Sequence, residues 1–356
     1  MTRSAVRATQ YLLLMVTWGM SGGCTKGTGD TVAADTLGSA HPAVELQRDG
    51  LNYLTDPAAV VVSPTAVFVA DVGSGTVLEF ARDGQFRRTI GTRGNGMGQF
   101  IGPTALALVG DSLLLIADAA LNRMSVYSTT RHAHLGAYRL PAQAFSLATQ
   151  GDTVLFGMQD LLHTTSIALL TPGDSAVRQL GPIPPVLLAH PRIAESFPTS
   201  LATFGPRGYR VGFTGANVVY HLDTAGVVLD SATPLSRFRR GVPPDLDTRL
   251  DSTRVATREA APASLLVLLG ALSGNRTALL HLDFIMEKGS MEVRAYLSTI
   301  APDGRSSCID HLVPVATDTR PVFALTNDTL YVAQNRLGAR SGAMALTLIA
   351  FRVPQC

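Results

Sequence analysis

The chain has 356 residues, 46% hydrophobic and 16% charged, with 33 glycines and 20 prolines, which allows a large core and excludes a disordered chain. Two lysines, Lys26 and Lys288, stand against 27 arginines, and the formal charge of +2 falls to zero once Arg3 and Arg7 are removed with the N-terminus. A neutral body has little long-range pull on phosphate backbones and carries no polybasic tail, so composition argues against nucleic acid as a partner and against lipid binding by charge.

Residues 1–23 have the order of an export segment. Arg3 and Arg7 form a basic start without acids, Tyr11 to Met20 an apolar run well short of the ~20 residues that span a bilayer, and Ser21, Gly22 and Gly23 a small-residue stretch before Cys24. This order resembles a bacterial lipoprotein signal. The resemblance implies cleavage before Cys24, a lipid on its thiol, and a membrane-anchored protein facing the periplasm or the cell exterior. Ser21 stands where that pattern carries Leu, and a simply cleaved signal is the alternative. Residues 24–43, rich in Thr, Gly, Ala, Asp and Ser after the cysteine, are expected to form a flexible tether to a folded body spanning 44–356.

Residues 44–49 alternate apolar and polar side chains like a half-buried strand. Two hairpin-punctuated units follow, at about 55–91 and 100–141, and their Ala70-Asp71 and Ala117-Asp118 pairs recur with a period of 47. Before the second lies Gly94-x-Gly96-x-Gly98-x-Phe100-x-x-Pro103; within it, Ile116-Ala117-Asp118 leads to Asn122-Arg123-Met124 and Tyr127. This order resembles an NHL repeat, which implies one four-stranded blade of a β-propeller. Further strand and turn rhythms at about 143–182, 198–232, 262–314 and 318–354 give six blades, the last short of one strand. The fold expected is therefore all-β, a six-bladed propeller whose last blade is completed by residues 44–49; seven blades is the rival count. Closure of this kind protects a sheet edge that would otherwise invite pairing between molecules.

With Cys24 reserved for lipid, Cys308 and Cys356 remain as a pair that this topology puts on one side of the disc, either as a disulfide or as two free thiols. Asp71 and Asp118 end inner strands. In some propeller lactonases carboxylates converge on calcium, and that resemblance would bring Asp71, Asp118, Asn217 and Asn335 to one ion; with Asn122 and Arg123 they are the candidate polar residues facing the central channel. The competing reading has each Asp capping a turn through backbone amides, with no metal or other cofactor. The eight histidines are scattered and expected at the surface, with His132 and His134 as the only close pair. No Gly-x-Ser-x-Gly elbow or phosphate loop precedes a helix, and no catalytic residues are assigned.

Residues 234–262 form an unusually long charged connection with Arg237, Arg239 and Arg240 at its start. They suggest a lid that recognises a carboxylate or phosphate, against a plain solvated excursion. Three functions follow: a monomeric, membrane-tethered scaffold for a protein, peptide or glycan; a divalent-metal-dependent hydrolase or lyase of the lactonase type; or a structural envelope protein.

Overall fold

The computed structural model describes residues 35–46, 56–159, 165–171, 177–189, 200–241, 264–287, 290–316, 321–337 and 344–356. They form six four-stranded antiparallel sheets arranged as the blades of a propeller. Strand β1 (Val44–Leu46) comes first in the chain but belongs to the last blade. Blade 1 comprises β2 (Pro57–Val62), β3 (Ala66–Asp71), β4 (Thr76–Ala81) and β5 (Phe86–Ile90), and is followed by a short parallel pair, β6 (Thr92–Arg93) and β7 (Gln99–Phe100). Blade 2 is β8 (Pro103–Val109), β9 (Leu113–Asp118), β10 (Arg123–Ser128) and β11 (Ala133–Arg139). Blade 3 is β12 (Gln143–Gln150), β13 (Thr153–Gln159), β14 (Thr165–Leu170) and β15 (Arg178–Pro182), with helix α1 (Pro185–Ala189) after it. Blade 4 is β16 (Ser200–Gly205), β17 (Gly208–Phe213), β18 (Ala216–Asp223) and β19 (Val228–Ala232). Blade 5 is β20 (Leu265–Ala271), β21 (Thr277–Glu287), β22 (Ser290–Ile300) and β23 (His311–Val313). Blade 6 is β24 (Val322–Thr326), β25 (Thr329–Leu337) and β26 (Met344–Arg352), completed by β1.

Burial follows from this arrangement. A middle strand packs on both faces against neighbouring blades, so β3, Ala-Val-Phe-Val-Ala-Asp, is buried along its whole length. The outer strand β5, Phe-Arg-Arg-Thr-Ile, alternates half-buried with exposed positions before its buried Ile90. Six apolar clusters result, one in each seam between blades. The seam between blades 4 and 5 has the smallest, with Leu201, Val219, Ala232, Leu266, Leu269, Leu279 and Ile300. Near the axis, hydroxyls reach from one blade to the next: Thr104 to the Ala144 carbonyl (3.0 Å), Thr149 to Leu108 (2.7 Å) and Thr214 to Leu266 (3.1 Å).

The ring closes through β1, which pairs antiparallel with β26 in the register Val44 with Leu348 and Leu46 with Leu346. One expectation from the sequence is corrected. The tether is not free over its full length: from Asp35 it lies on blades 5 and 6, with the Leu37 amide donating to the Leu312 carbonyl (2.9 Å), the Ala40 amide to Ala350 (2.7 Å), and Leu37 buried in the seam between them. Blade 5's outer strand is interrupted before His311: Ser306 bridges Ile300, and Ser307 and Cys308 still bond to Thr299 of β22, but the chain leaves the ladder at Ile309 and Asp310, the latter at φ 55°.

Alternating strand direction gives the disc two faces. The blade-to-blade connections and the turns between second and third strands share one, here called the connection face; the remaining hairpin turns share the other.

Candidate functional site

The polar residues singled out from the sequence lie at strand ends on the connection face, and the structure shows what most of them hold. Asp118, at the end of β9, is buried; its carboxylate accepts the backbone amides of Ile101 (2.7 Å), Gly102 (3.1 Å) and Leu121 (3.1 Å). Asp71, at the matching end of β3, accepts the Asp56 amide (2.7 Å). In blade 6 the same place is taken by Gln334, fully buried, whose Oε1 accepts the Ala316 amide (2.8 Å). In each case a residue at the end of a second strand fastens the connection that enters its own blade. Arg123 fastens the Gly-rich segment in the same way, donating to the carbonyls of Asn95 (3.1 Å) and Gln99. Asn122 is the exposed residue of the turn before it, at φ 47°. Asn217 and Asn335 are half-buried in blades 4 and 6.

In blade 5 the register of Asp71 and Asp118 is occupied by His281, opposite Leu266 just before the skipped Val267, and the fastening is done two residues further on by Asp283, a residue the sequence did not single out. Asp283 lies opposite Ser264 by extension of the β20 to β21 register, and both are buried. It holds the incoming connection through the side chain of Arg240, and Ser264 holds it through the backbone, accepting the Arg240 amide (2.9 Å) and donating to the Phe238 carbonyl (2.8 Å). The three arginines of the expected lid therefore separate. Arg237 is exposed, with its amide on Asp310 (2.6 Å). Arg240 is paired. Arg239 turns into the seam between blades 4 and 5, where it is buried and one Nη donates to the carbonyls of Phe213 (3.1 Å) and Ala216 (2.9 Å). A lid made of all three heads is thus corrected: a guanidinium committed to the interior cannot be presented to solvent. Burial lowers the Arg239 pKa to about 10.

His281 shares this seam. It is fully buried, which corrects the expectation of surface histidines, and it stacks on Tyr296 at 5.5 Å between ring centres. Phe238, from the connection, stacks on Tyr296 at 4.3 Å. Burial first, then the charges of Arg239 and Arg240, push the His281 pKa down to about 3, so the ring is neutral at physiological pH. The register places it where blades 1 and 2 carry Asp71 and Asp118. The other end of the seam is also polar: Arg210 reaches Thr277, and His221 pairs with Asp230 at 2.5 Å. His132, at φ 57° in the turn before β11, does not share a strand face with His134.

Cys308 and Cys356 form a disulfide across the seam between blades 5 and 6, with Cα atoms 5.4 Å apart. His311 lies beside them, and these are the one trio among the described residues with metal-ligating atoms within 4.8 Å of one another; oxidation leaves the sulfurs bound to each other. Asp71 and Asp118 belong to no such group among the described residues. Cys24 and residues 242–262 of the long connection lie outside the described residues.

No family model and no curated protein sequence matches the chain. Its likenesses are to solved structures. A putative exported protein from Bacteroides fragilis superposes with a TM-score of 0.59 at 11% identity, over 90% of this chain and 98% of that one. A member of the DUF4221 family from Bacteroides vulgatus gives 0.58 at 11%, over 91% and 99%. A calcium-binding protein, regucalcin, from Agrobacterium tumefaciens gives 0.50 at 14%, over 90% and 98%. At such identities the likeness is one of fold, and the chain is a six-bladed β-propeller.

Proposed function

We propose that this protein is exported, is held at a membrane by a lipid on Cys24, and acts as a rigid binding scaffold for a protein, peptide or glycan on its connection face. The observation that carries the reading is the use of Asp118: all three of its hydrogen bonds go to backbone amides, which makes the carboxylate a fastener of the face and not a reactive group. Export is supported by the N-terminal residues and by the likeness to a putative exported protein. Anchoring is tested by Cys24→Ser, which should move the protein from the membrane fraction to the soluble one.

The face is tested by placing a photocrosslinker at exposed Met97, in the connection between blades 1 and 2, and at exposed Arg305, in the turn between β22 and β23 on the opposite face, in membranes. The scaffold reading expects a discrete crosslinked partner from Met97 only. Equal products from both positions favour a structural envelope protein.

A second reading, a calcium-dependent hydrolase of the lactonase type, is favoured by the likeness to regucalcin. It needs Asp71, Asp118, Asn217 and Asn335 to serve one ion. Calcium added to chelator-treated protein should then stabilise it by about 2.7 kcal/mol at a hundredfold excess over Kd, read as a melting temperature that rises with the logarithm of calcium concentration. The scaffold reading expects no such rise.

A further inference from the structure

The seam between blades 4 and 5 departs from the pattern of its neighbours. In blades 1, 2 and 6 the row facing the preceding blade ends in an apolar residue and then a group that accepts a backbone amide. In blade 5 His281 lies in the register of Asp71 and Asp118 but accepts no backbone amide, that task passing to the Asp283 and Ser264 pair, and the connection sends a guanidinium, Arg239, into the same seam. Among the described residues neither ring nitrogen of His281 has a hydrogen-bond partner, and neither has the Nη1 of Arg239. Buried polar groups without partners are uncommon in native proteins and mark sites where a water, an ion or a ligand belongs.

We propose that this seam, beneath the start of the long connection, binds a small molecule through its oxyanion, a carboxylate or phosphate group, held by Arg239 and His281. This goes beyond the scaffold reading and does not depend on it. Charge decides between an anion and water. Arg239 carries a full positive charge in the interior, and its partners are two carbonyls, which accept hydrogen bonds but do not neutralise. The buried carboxylates nearby are engaged elsewhere: Asp283 with Arg240, and Asp310 with the Ser236 hydroxyl (2.6 Å) and the Arg237 amide (2.6 Å). Water would satisfy the unpartnered nitrogens and leave the charge. An oxyanion supplies both acceptors and charge, and a guanidinium binds carboxylate or phosphate through two parallel hydrogen bonds. Neutral His281 donates one more. Phe238 and Tyr296, stacked beside His281, supply an apolar wall.

The test uses the mature full chain, titrated with sodium phosphate or sodium acetate at constant ionic strength, and follows the melting temperature together with the 15N imidazole resonances of His281, assigned by their loss in His281→Leu. One anion should shift the His281 resonances saturably and raise the melting temperature with the logarithm of its concentration above Kd, and His281→Leu and Arg239→Met should each raise the midpoint concentration of the response at least tenfold. Which anion acts distinguishes a phosphate from a carboxylate ligand. Phosphate also stabilises proteins by exclusion from their surface, a linear effect that the variants share. A rise of that kind alone, no response to either anion, or an undiminished response in His281→Leu would overturn the proposal. Should Arg239→Met fail to fold, His281→Leu and the wild-type resonances decide.

Discussion

Asp118 shows what an NHL-like signature residue does in this fold. Its carboxylate, 17 residues downstream of Ile101 in sequence, ties the incoming connection to the turn after β9, so one side chain fixes both the position of the blade and the shape of its face. Asp118→Ala would leave three amides in a buried place without acceptors, and we expect it to lower the unfolding free energy by about 3 kcal/mol, measured by urea titration. His281 makes a different prediction. Its pKa is near 3 when folded and 6.5 in its unperturbed form. Below pH 6.5 the unfolded chain takes up a proton that the folded chain refuses, so stability falls as pH drops from 6.5 towards 3, by up to about 1.4 kcal/mol per pH unit, and the contribution is flat above 6.5. Arg239 and Arg240 act with burial to hold it neutral, and Tyr296 stacks on it. Between pH 7 and pH 5 the urea midpoint of wild type should fall relative to that of His281→Leu, which has no such proton to take up, by about 2 kcal/mol in unfolding free energy; an unchanged gap would count against the depressed pKa.

Among the elements, the closing strand depends on a close approach that only glycine permits. Gly84 sits at φ +93° in the turn between β4 and β5, and a Cβ there would lie 2.1 Å from the Glu45 carbonyl oxygen of β1. Gly84→Ala should therefore cost about 3 kcal/mol and loosen β1, whereas Gly110→Ala, also at positive φ but with open space around it, should cost about 1 kcal/mol. Amide hydrogen exchange along residues 44–46 separates the two, since only the first should lose protection there. The connection between blades 4 and 5 is an element of the opposite kind. Its first residues are pinned by Ser264, Asp283 and Asp310, and its charge enters the seam with the smallest apolar cluster. Polar contacts at both ends of that seam take over holding work that apolar packing performs in the other five.

For the whole molecule, the join between blades 5 and 6 is secured three times: by the disulfide, by residues 35–40 lying across it, and by the apolar cluster that includes Leu37. The Cys308 to Cys356 bond closes a 48-residue separation, and its reduction should lower stability by about 3 to 4 kcal/mol, read as a drop in the guanidinium midpoint with and without a thiol reductant. Arginine, so abundant here, ties blade to blade at the rim: Arg88 to the Thr129 carbonyl (3.1 Å), Arg178 to Thr224 (2.7 Å) and Arg276 to Pro354 (2.8 Å). The six-fold strand count, the closing role of β1 and the pairing partner of Cys308 were legible in the sequence, because hairpin turns and strand alternation are local signals and the count then fixes which ends meet. The docked residues 35–40, the break in the ladder before β23, the burial of His281 and Arg239, and the fastening role of Asp283 were not. Each depends on which neighbour a side chain meets across a seam between blades. Sequence alone determined the propeller; which polar residues brace its face, and which are left inside without partners, was decided by packing between segments far apart in the chain, whose burial no local pattern encodes.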